Sequence, residues 1–352
     1  MKKFAVISGF LGAGKTTAMM ALTRYYTDRY GRAAMISNDL GEDVELADHR
    51  LAKLSGCDAS QIAGECICFC HDVLTARLNA YYDAGCELVV SDIPGFGVGA
   101  LEHVYHGLTR DYPGQYALAP FTVLVEPESI MRLRDGGGDT VHILDAQLRE
   151  ADLIVLNKCD LLAPEAAQRE RAYLAARYPE AQVLTLSARR GDGLDALCRA
   201  LRGGSASLRH PEIDYDGDGL QNEMARMSEC YLQYHALVCC FDFDGTAYLA
   251  DLAEAFRGAL ADAGREIPHL KLLAWTPDGD YGKVDLLGTD RPVELTRPFA
   301  ARCTELAVIL NASAICPDTL LEETLMTAVK AVSERYQLEL TFHRRDCFGM
   351  GE

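Results

Sequence analysis

The chain has 352 residues, room for about two domains, and its 49% hydrophobic and 24% charged residues are the balance of a folded protein with a real core. A formal net charge of −18 repels phosphate backbones and anionic bilayers, so neither nucleic acid nor a membrane is an expected partner, and any nucleotide must be held by a local site. No run approaches the roughly 18 apolar residues of a membrane span, and the N-terminus reads as a strand, not a signal peptide. The cytoplasm is therefore the expected location, where thirteen cysteines are mostly small buried hydrophobes or metal ligands. Cys86, Cys303, Cys316 and the pair Cys239-Cys240 fit the first of those roles.

In chain order, the apolar run Phe4–Ser8 reads as a buried parallel strand. It runs into Gly9-Phe10-Leu11-Gly12-Ala13-Gly14-Lys15-Thr16-Thr17, a full match to G-x-x-x-x-G-K-[ST], and a helical pattern over Thr16–Tyr26 follows. Strand, glycine-rich loop and helix are the context this phosphate-binding motif needs. Glycines let successive N–H groups turn inward without Cβ clashes, and the helix N-terminus adds partial positive charge. Lys15 is expected to reach the β- and γ-phosphates and the Thr16 hydroxyl to ligate Mg²⁺. Gly9, Gly12, Ala13, Gly14, Lys15, Thr16 and Thr17 are the expected cradle, with Lys15, Thr16 and, further on, Asp92 as the catalytic candidates.

The next strand, Ala33–Ser37, leads into Asn38-Asp39-Leu40-Gly41-Glu42, where Asp39 or Glu42 is a candidate to hold Mg²⁺ or position water. Gly64-Glu65-Cys66-Ile67-Cys68-Phe69-Cys70-His71 then packs three thiols into five residues. In an extended segment alternate side chains point the same way, so Cys66, Cys68 and Cys70 would converge on one soft divalent ion such as Zn²⁺, with a position open for His71, water or a client protein. After the strand Leu88–Ser91 comes Asp92-Ile93-Pro94-Gly95: Asp92 is expected to hold Mg²⁺ through water, and the Gly95 N–H to sense the γ-phosphate, so that hydrolysis releases the loop. His103 and His106 lie three residues apart on an expected helix just beyond it.

The strands Phe121–Val125 and Leu153–Leu156 follow, separated by a triple-glycine turn at Gly136-Gly137-Gly138. The second opens Asn157-Lys158-Cys159-Asp160, which matches the N-K-x-D element of GTPases. The Asp160 carboxylate can accept from both guanine N1–H and the exocyclic amine; adenine lacks that donor pair and would leave a charged acceptor unpaired. A helix over Ala166–Ala176 and the strand Val183–Leu186 lead to Ser187-Ala188-Arg189, placed where a backbone contact to guanine is expected, and a helix over Leu194–Leu201 closes the pattern. Strand–helix alternation of this kind implies an α/β fold with a mostly parallel sheet covered on both faces.

Gly203-Gly204-Ser205-Ala206-Ser207 reads as the exit from this domain. Asp214-Tyr215-Asp216-Gly217-Asp218-Gly219 starts like a Ca²⁺ loop but has Ala225 at the twelfth position instead of the bidentate Glu, so it reads as an acidic surface turn. Beyond it come a strand over Tyr231–Phe241, a helix over Asp251–Ala263, strands over Leu270–Trp275, Lys283–Leu287 and Leu306–Leu310, a helix after Pro317-Asp318 with Leu321, Leu325, Ala328, Val329 and Val332 on one face, and a strand over Leu338–Phe342. The expected division is 1–204, a linker 205–229, and a smaller α+β, ferredoxin-like domain over 230–352.

Ser8–Thr17 closely resembles the P-loop of the CobW/HypB/UreG GTPases, and a Cys-rich element between P-loop and switch is similar to that of the CobW-like branch, which carries C-x-C-C. The C-terminal part resembles the small CobW C-terminal domain in element order. This resemblance implies a P-loop GTPase whose GTP hydrolysis gates delivery of Zn²⁺, Co²⁺ or Ni²⁺ to a metalloprotein client, or one that serves a corrinoid (cobalamin-dependent) protein or methyltransferase; members often dimerise, so a homodimer is among the implied partners. A metal-buffering or redox-sensing cysteine protein is the alternative outside enzymes. Two departures stand out: Phe69 separates the cysteines that the branch has adjacent, and Asp92 stands where it usually has the longer Glu.

Overall fold

The computed structural model describes residues 2–136, 138–238 and 241–351; Gly137 of the triple-glycine turn and the Cys239-Cys240 pair lie outside them. The chain divides into two compact units, residues 1–40 with 52–223, and residues 41–51 with 224–352.

The first unit alternates strand and helix as its hydrophobic pattern demands. β1 (Lys3–Ser8) is buried along its whole length and runs through the glycine loop into α1 (Lys15–Arg29), which buries Met19 and Leu22 against the sheet. β2 (Ala33–Asp39) follows; the chain then leaves the unit after Leu40 and rejoins it within α2 (Ala47–Leu54). Next come β3 (Ala59–Ala63), α3 (His71–Asp83), β4 (Leu88–Asp92), a π-helical turn over Leu101–His106, α4 (Gly107–Asp111), β5 (Ala117–Leu118), β6 (Thr122–Val125), α5 (Pro127–Asp135), α6 (Val141–Glu150), β7 (Leu153–Leu156), α7 (Pro164–Arg177), β8 (Gln182–Thr185) and α8 (Leu194–Gly203). The strands form an eight-stranded sheet in the order β3-β2-β4-β1-β6-β7-β8, with β5 beside β1, and every pairing is parallel. This is the P-loop NTPase arrangement. Register pairs Ile7 with Asp92 and Ile36 with Ser91, so β1, β2 and β4 end at one edge, the carboxyl edge where open α/β sheets bind ligands. β3 escaped the sequence reading because Ala-Ser-Gln-Ile-Ala offers no apolar run.

After α9 (Asp218–Ala225), the second unit builds an antiparallel sheet from β9 (Met227–Leu237), β10 (Glu266–Trp275), β11 (Tyr281–Leu286), β12 (Glu294–Arg297), β13 (Glu305–Ile315) and β14 (Glu339–Gly349), with α10 (Gly245–Asp262) and α11 (Asp318–Arg335). The order is β12-β11-β10-β13-β9-β14. Setting aside the β11–β12 insertion, β14-β9-β13-β10 is the ferredoxin-like order, and the two helices supply Phe256 and Leu325 to a core with Leu232, Tyr234 and Leu310. β9 starts four residues before the expected Tyr231 and stops at Leu237, short of Phe241. β12 is a mostly exposed edge strand with no apolar alternation to announce it. Cys230 and Cys347 face each other across β9 and β14 and are joined by a disulfide, a correction to the expectation that cysteines here are free thiols or metal ligands.

The excursion 41–51 packs within this second unit. Val44 and Leu46 are buried, the Glu42 N–H donates to Asp346 Oδ2 at 2.8 Å, Gln233 Nε2 donates to the Glu45 carbonyl at 2.8 Å, and Lys271 pairs with Asp48 at 2.6 Å.

Candidate functional site

Gly9, Gly12 and Gly14 all have positive φ, 136°, 80° and 89°, which turns the loop between β1 and α1 into a cup of backbone N–H groups. A Cβ on Gly9 would lie 2.3 Å from the Leu124 carbonyl oxygen, and one on Gly14 2.5 Å from Asn157 Nδ2, so neighbouring strands press on the cup from behind. α1 has Gly14 at its N-cap and no side-chain cap, which leaves its first-turn amides to a ligand. Lys15 Nζ donates to the Gly9 carbonyl at 2.7 Å, folding the ammonium over the loop. Thr16 is half-buried at the helix start and Thr17 is exposed. These residues fit a polyphosphate: the left-handed glycines, the uncapped start of α1 and the Lys15 ammonium lie together on one short loop.

The loops expected to read the base are tied to this cup through Asn157. Its Nδ2 donates to the Ala13 carbonyl at 2.9 Å, and its Oδ1 accepts from the Ala188 N–H at 3.1 Å, so one buried amide holds the phosphate loop, the Asn157–Asp160 loop and the Ser187–Arg189 loop together. Lys158 sits at φ 57° and pairs with Glu126 at 2.7 Å, a partner that no motif marks. Asp160 Oδ1 accepts from the Ser187 hydroxyl at 2.6 Å; that bond, helped by the Arg190 and Arg189 charges, keeps the carboxyl below its ordinary range and hence ionised. An ionised carboxylate aimed by a neighbouring hydroxyl is what a two-donor base edge requires.

The switch end converges on Asn38, which sequence reasoning passed over in favour of Asp39. Buried Asp92 Oδ1 accepts from the Asn38 N–H at 2.8 Å. The Asn38 side chain then makes three bonds: Nδ2 donates to the Ile62 carbonyl at 3.1 Å and the Glu65 carbonyl at 2.8 Å, and Oδ1 accepts from the Ile67 N–H at 3.0 Å. Ile67 stands between two of the three clustered cysteines, so one residue joins the switch acid to the cysteine loop. Gln147 of α6 holds the other side of the switch, its Nε2 donating to the carbonyls of Gly95 and Gly97 at 3.0 Å each. Glu42 belongs to the segment 41–51 of the second unit, where its N–H donates to Asp346 Oδ2.

The cysteine segment is a tight turn, not the extended run expected from its alternation. The Phe69 N–H donates to the Cys66 carbonyl at 2.9 Å, and the turn brings Cys66 Sγ within 2.9 Å of Cys68 Sγ. The Cys70 thiol points elsewhere and donates to the Cys66 carbonyl at 3.4 Å. Two thiols therefore converge and the third stands beside them. The thiol hydrogen bond within the pair pulls Cys66 below its ordinary pKa and pushes Cys68 up, while burial pushes Cys70 up to about 11. Asp39 and Glu65 add negative charge at Cys66, a field that favours a cation. All three thiols are buried, whereas Phe69, the residue that separates them, is 69% exposed and packs on the His103 ring at 5.4 Å.

The zinc chaperone CobW of Pseudomonas aeruginosa is 29% identical over 215 residues, 53% of this chain and 56% of the relative. The zinc chaperone YeiR of Escherichia coli K12 is 28% identical over 172 residues, 48% of this chain and 50% of the relative. The chain thus spans about half the length of the curated relatives it matches. Among solved structures, Zn(II)-bound YjiA GTPase from E. coli is 16% identical, covering 94% of this chain and 98% of that one at a TM-score of 0.38. HypB from Helicobacter pylori in complex with nickel is 15% identical, covering 59% and 90% at a TM-score of 0.41. At these scores neither structural likeness bears on the site. The profile of the CobW/HypB/UreG nucleotide-binding domain matches residues 3–185, more than half of the chain, and the protein belongs to the CobW/HypB/UreG family of P-loop GTPases.

Proposed function

We propose that the protein is a GTP-hydrolysing switch that couples its nucleotide state to the holding and release of a divalent metal ion, Zn²⁺ or a close relative, at Cys66, Cys68 and Cys70, and that it serves a metalloprotein client in the cytoplasm. In this reading Lys15 and the cup amides neutralise the β- and γ-phosphates, the Thr16 hydroxyl holds Mg²⁺ and Asp92 contacts it through water. Asp160, with Ser187 behind it and the Ala188 loop beside it, selects guanine. Asp39 is shared ground: it stands at the end of β2 as a Mg²⁺ candidate and lends its charge to Cys66.

The observation that carries the coupling is the bond path Asp92–Asn38–Ile67. A change in what Asp92 contacts alters its grip on the Asn38 N–H, and the Asn38 side chain fixes three backbone groups of the cysteine loop and the strand before it. The turn aims the Cys70 thiol at a carbonyl, so gathering all three thiols on one ion requires the turn to reorganise, which is the kind of motion such a path can bias. The relatives named as zinc chaperones support Zn²⁺ as the first metal to test.

The experiment is Zn²⁺ titration of the full chain with GTP, GDP or no nucleotide, in Mg²⁺ buffer. Wild type should show a different Zn²⁺ affinity in the two nucleotide states, and Lys15→Ala should make the affinities equal. Retention of the wild-type affinity by a Cys66/Cys68/Cys70→Ser variant would overturn the thiol site; equal affinities in all nucleotide states of wild type would overturn the coupling.

A further inference from the structure

Outside the cysteine loop, a second set of ligand atoms converges on the π-helical turn. Glu102 Oε2 lies 3.1 Å from His210 Nδ1 and 3.8 Å from His106 Nδ1, and the ligand atoms of all three residues fall within 4.8 Å of one another. The two imidazole rings lie 4.4 Å apart, centroid to centroid. Two imidazoles and one carboxylate are the ligand set of open zinc sites, which leave a fourth position to water or an incoming ligand.

Three features indicate that the group is built. The turn over Leu101–His106 is π-helical, and single π turns recur at functional sites; Glu102 and His106, four residues apart, share one face of it. The His106 ring is oriented from behind: its Nε2 lies 3.3 Å from the Arg209 carbonyl and donates to it as N–H, so Nδ1 presents its lone pair to Glu102 and His210. A ligating histidine tied by its other nitrogen to a backbone carbonyl is the usual supporting arrangement around a metal. His210 is brought in by its neighbour, because Arg209 Nη2 donates to the Arg149 and Ala151 carbonyls at 2.6 and 2.7 Å and pins the post-α8 segment across the end of α6.

We propose that Glu102, His106 and His210 form a second divalent-metal site of Zn²⁺-like preference, separate from the three cysteines. With nitrogen and oxygen ligands, an open coordination position and an exposed His210, it is an exchangeable site. The thiols by contrast are buried. Its turn also carries His103, against which Phe69 of the cysteine loop packs, so metal arriving from solvent is held next to the loop that would receive it. Binding would also clamp the segment around His210 to the turn that follows the switch.

The test is independent of the cysteine reading because it is made in the Cys66/Cys68/Cys70→Ser background, on untagged full-length protein, with Zn²⁺ followed by calorimetry and Co²⁺ by its visible spectrum. One Zn²⁺ per chain should remain bound, and Co²⁺ should give a spectrum without thiolate charge-transfer bands. Adding His210→Ala should weaken that binding about tenfold or more, and Glu102→Gln and His106→Ala likewise. The His210 side chain is 74% exposed, so its removal should leave the fold intact, and that variant alone decides the matter if His106→Ala fails to fold. Backbone amide exchange around residue 210 should slow when Zn²⁺ is added. Absence of Zn²⁺ binding in the triple-serine protein, or binding that His210→Ala leaves unchanged, would overturn the proposal.

Discussion

Asn38 and Asp160 show how differently two residues of the candidate site can be read. Asp160 is legible because N-K-x-D is a spacing with a chemical meaning, and the structure adds the Ser187 hydroxyl that aims it. Removing its carboxylate in Asp160→Ala takes away both acceptors for guanine, and GTP affinity should fall roughly 100-fold or more with the phosphate contacts intact; calorimetry with GTP and ATP checks it, and an undiminished GTP affinity would move guanine recognition elsewhere. Asn38 is silent in sequence, because a buried amide bonded to main-chain groups of β3 and of the cysteine loop has no local pattern. Asn38→Ala should leave GTP and Zn²⁺ each able to bind while the difference in Zn²⁺ affinity between nucleotide states shrinks to nothing, at a cost of about 1–3 kcal/mol in stability for the orphaned Ile67 N–H and its neighbours. A full nucleotide effect in a folded Asn38→Ala protein would break the proposed path. The turn at Cys66–Phe69 teaches the same lesson: alternation suggested an extended strand, but the main-chain bond from Phe69 to Cys66 is a three-dimensional fact that the one-residue spacing could not supply.

The elements themselves were legible wherever burial on both faces wrote a continuous apolar run, as in β1, β4 and β7, and lost where it did not, as in β3 and the exposed edge strand β12. α6 carries a device that no periodicity reveals. Its last residue, Glu150, is fully buried and accepts from the Leu101 N–H at 3.3 Å, the Tyr215 hydroxyl at 3.1 Å and the Gly99 N–H, holding the entry to the π-helical turn. Burial outweighs these donors and pushes its carboxyl up to about 7 from an ordinary 4.5. A carboxyl whose pKa is raised by folding keeps a proton that the unfolded chain has lost. Its contribution is therefore complete below 4.5 and disappears as pH rises through about 7, on the order of 3 kcal/mol over that window. Wild type should thus lose urea resistance between about pH 5 and 8. Glu150→Gln should be less stable throughout, because an amide meets those donors poorly, yet lack this pH dependence, so the gap between the two proteins should narrow as pH rises. A gap that stays constant would show that Glu150 titrates normally.

At the scale of the whole chain, the two units are not two consecutive stretches of sequence. The chain leaves the first unit one residue after Asp39, at Leu40, runs through 41–51 within the second unit, and returns at Ala52. The Gly-Ser-rich residues after Leu201 read as an exit, whereas the first unit runs on to residue 223, and an eleven-residue excursion held by Gln233, Lys271 and Asp346 from far along the chain has no compositional signal at all. The excursion begins where the end of β2 meets the proposed metal and nucleotide sites, so any movement of Asp39 is continuous in the backbone with a segment anchored on β9, β10 and β14. A chain ended at residue 223 keeps the phosphate cup and both base-reading loops and should still bind GTP. It loses the partners of 41–51, however, exposing Val44 and Leu46, each worth about 1.5–3 kcal/mol when buried, and freeing Arg50 from the Trp275 ring it covers at 4.2 Å. Trypsin should then cut the shortened chain after Arg50 at least tenfold faster than the full-length protein, while GTP affinity stays within a few-fold. Equal protection of Arg50 in both chains would mean that the first unit holds this segment by itself, and the backbone continuity between β2 and the second unit would then carry no mechanical consequence.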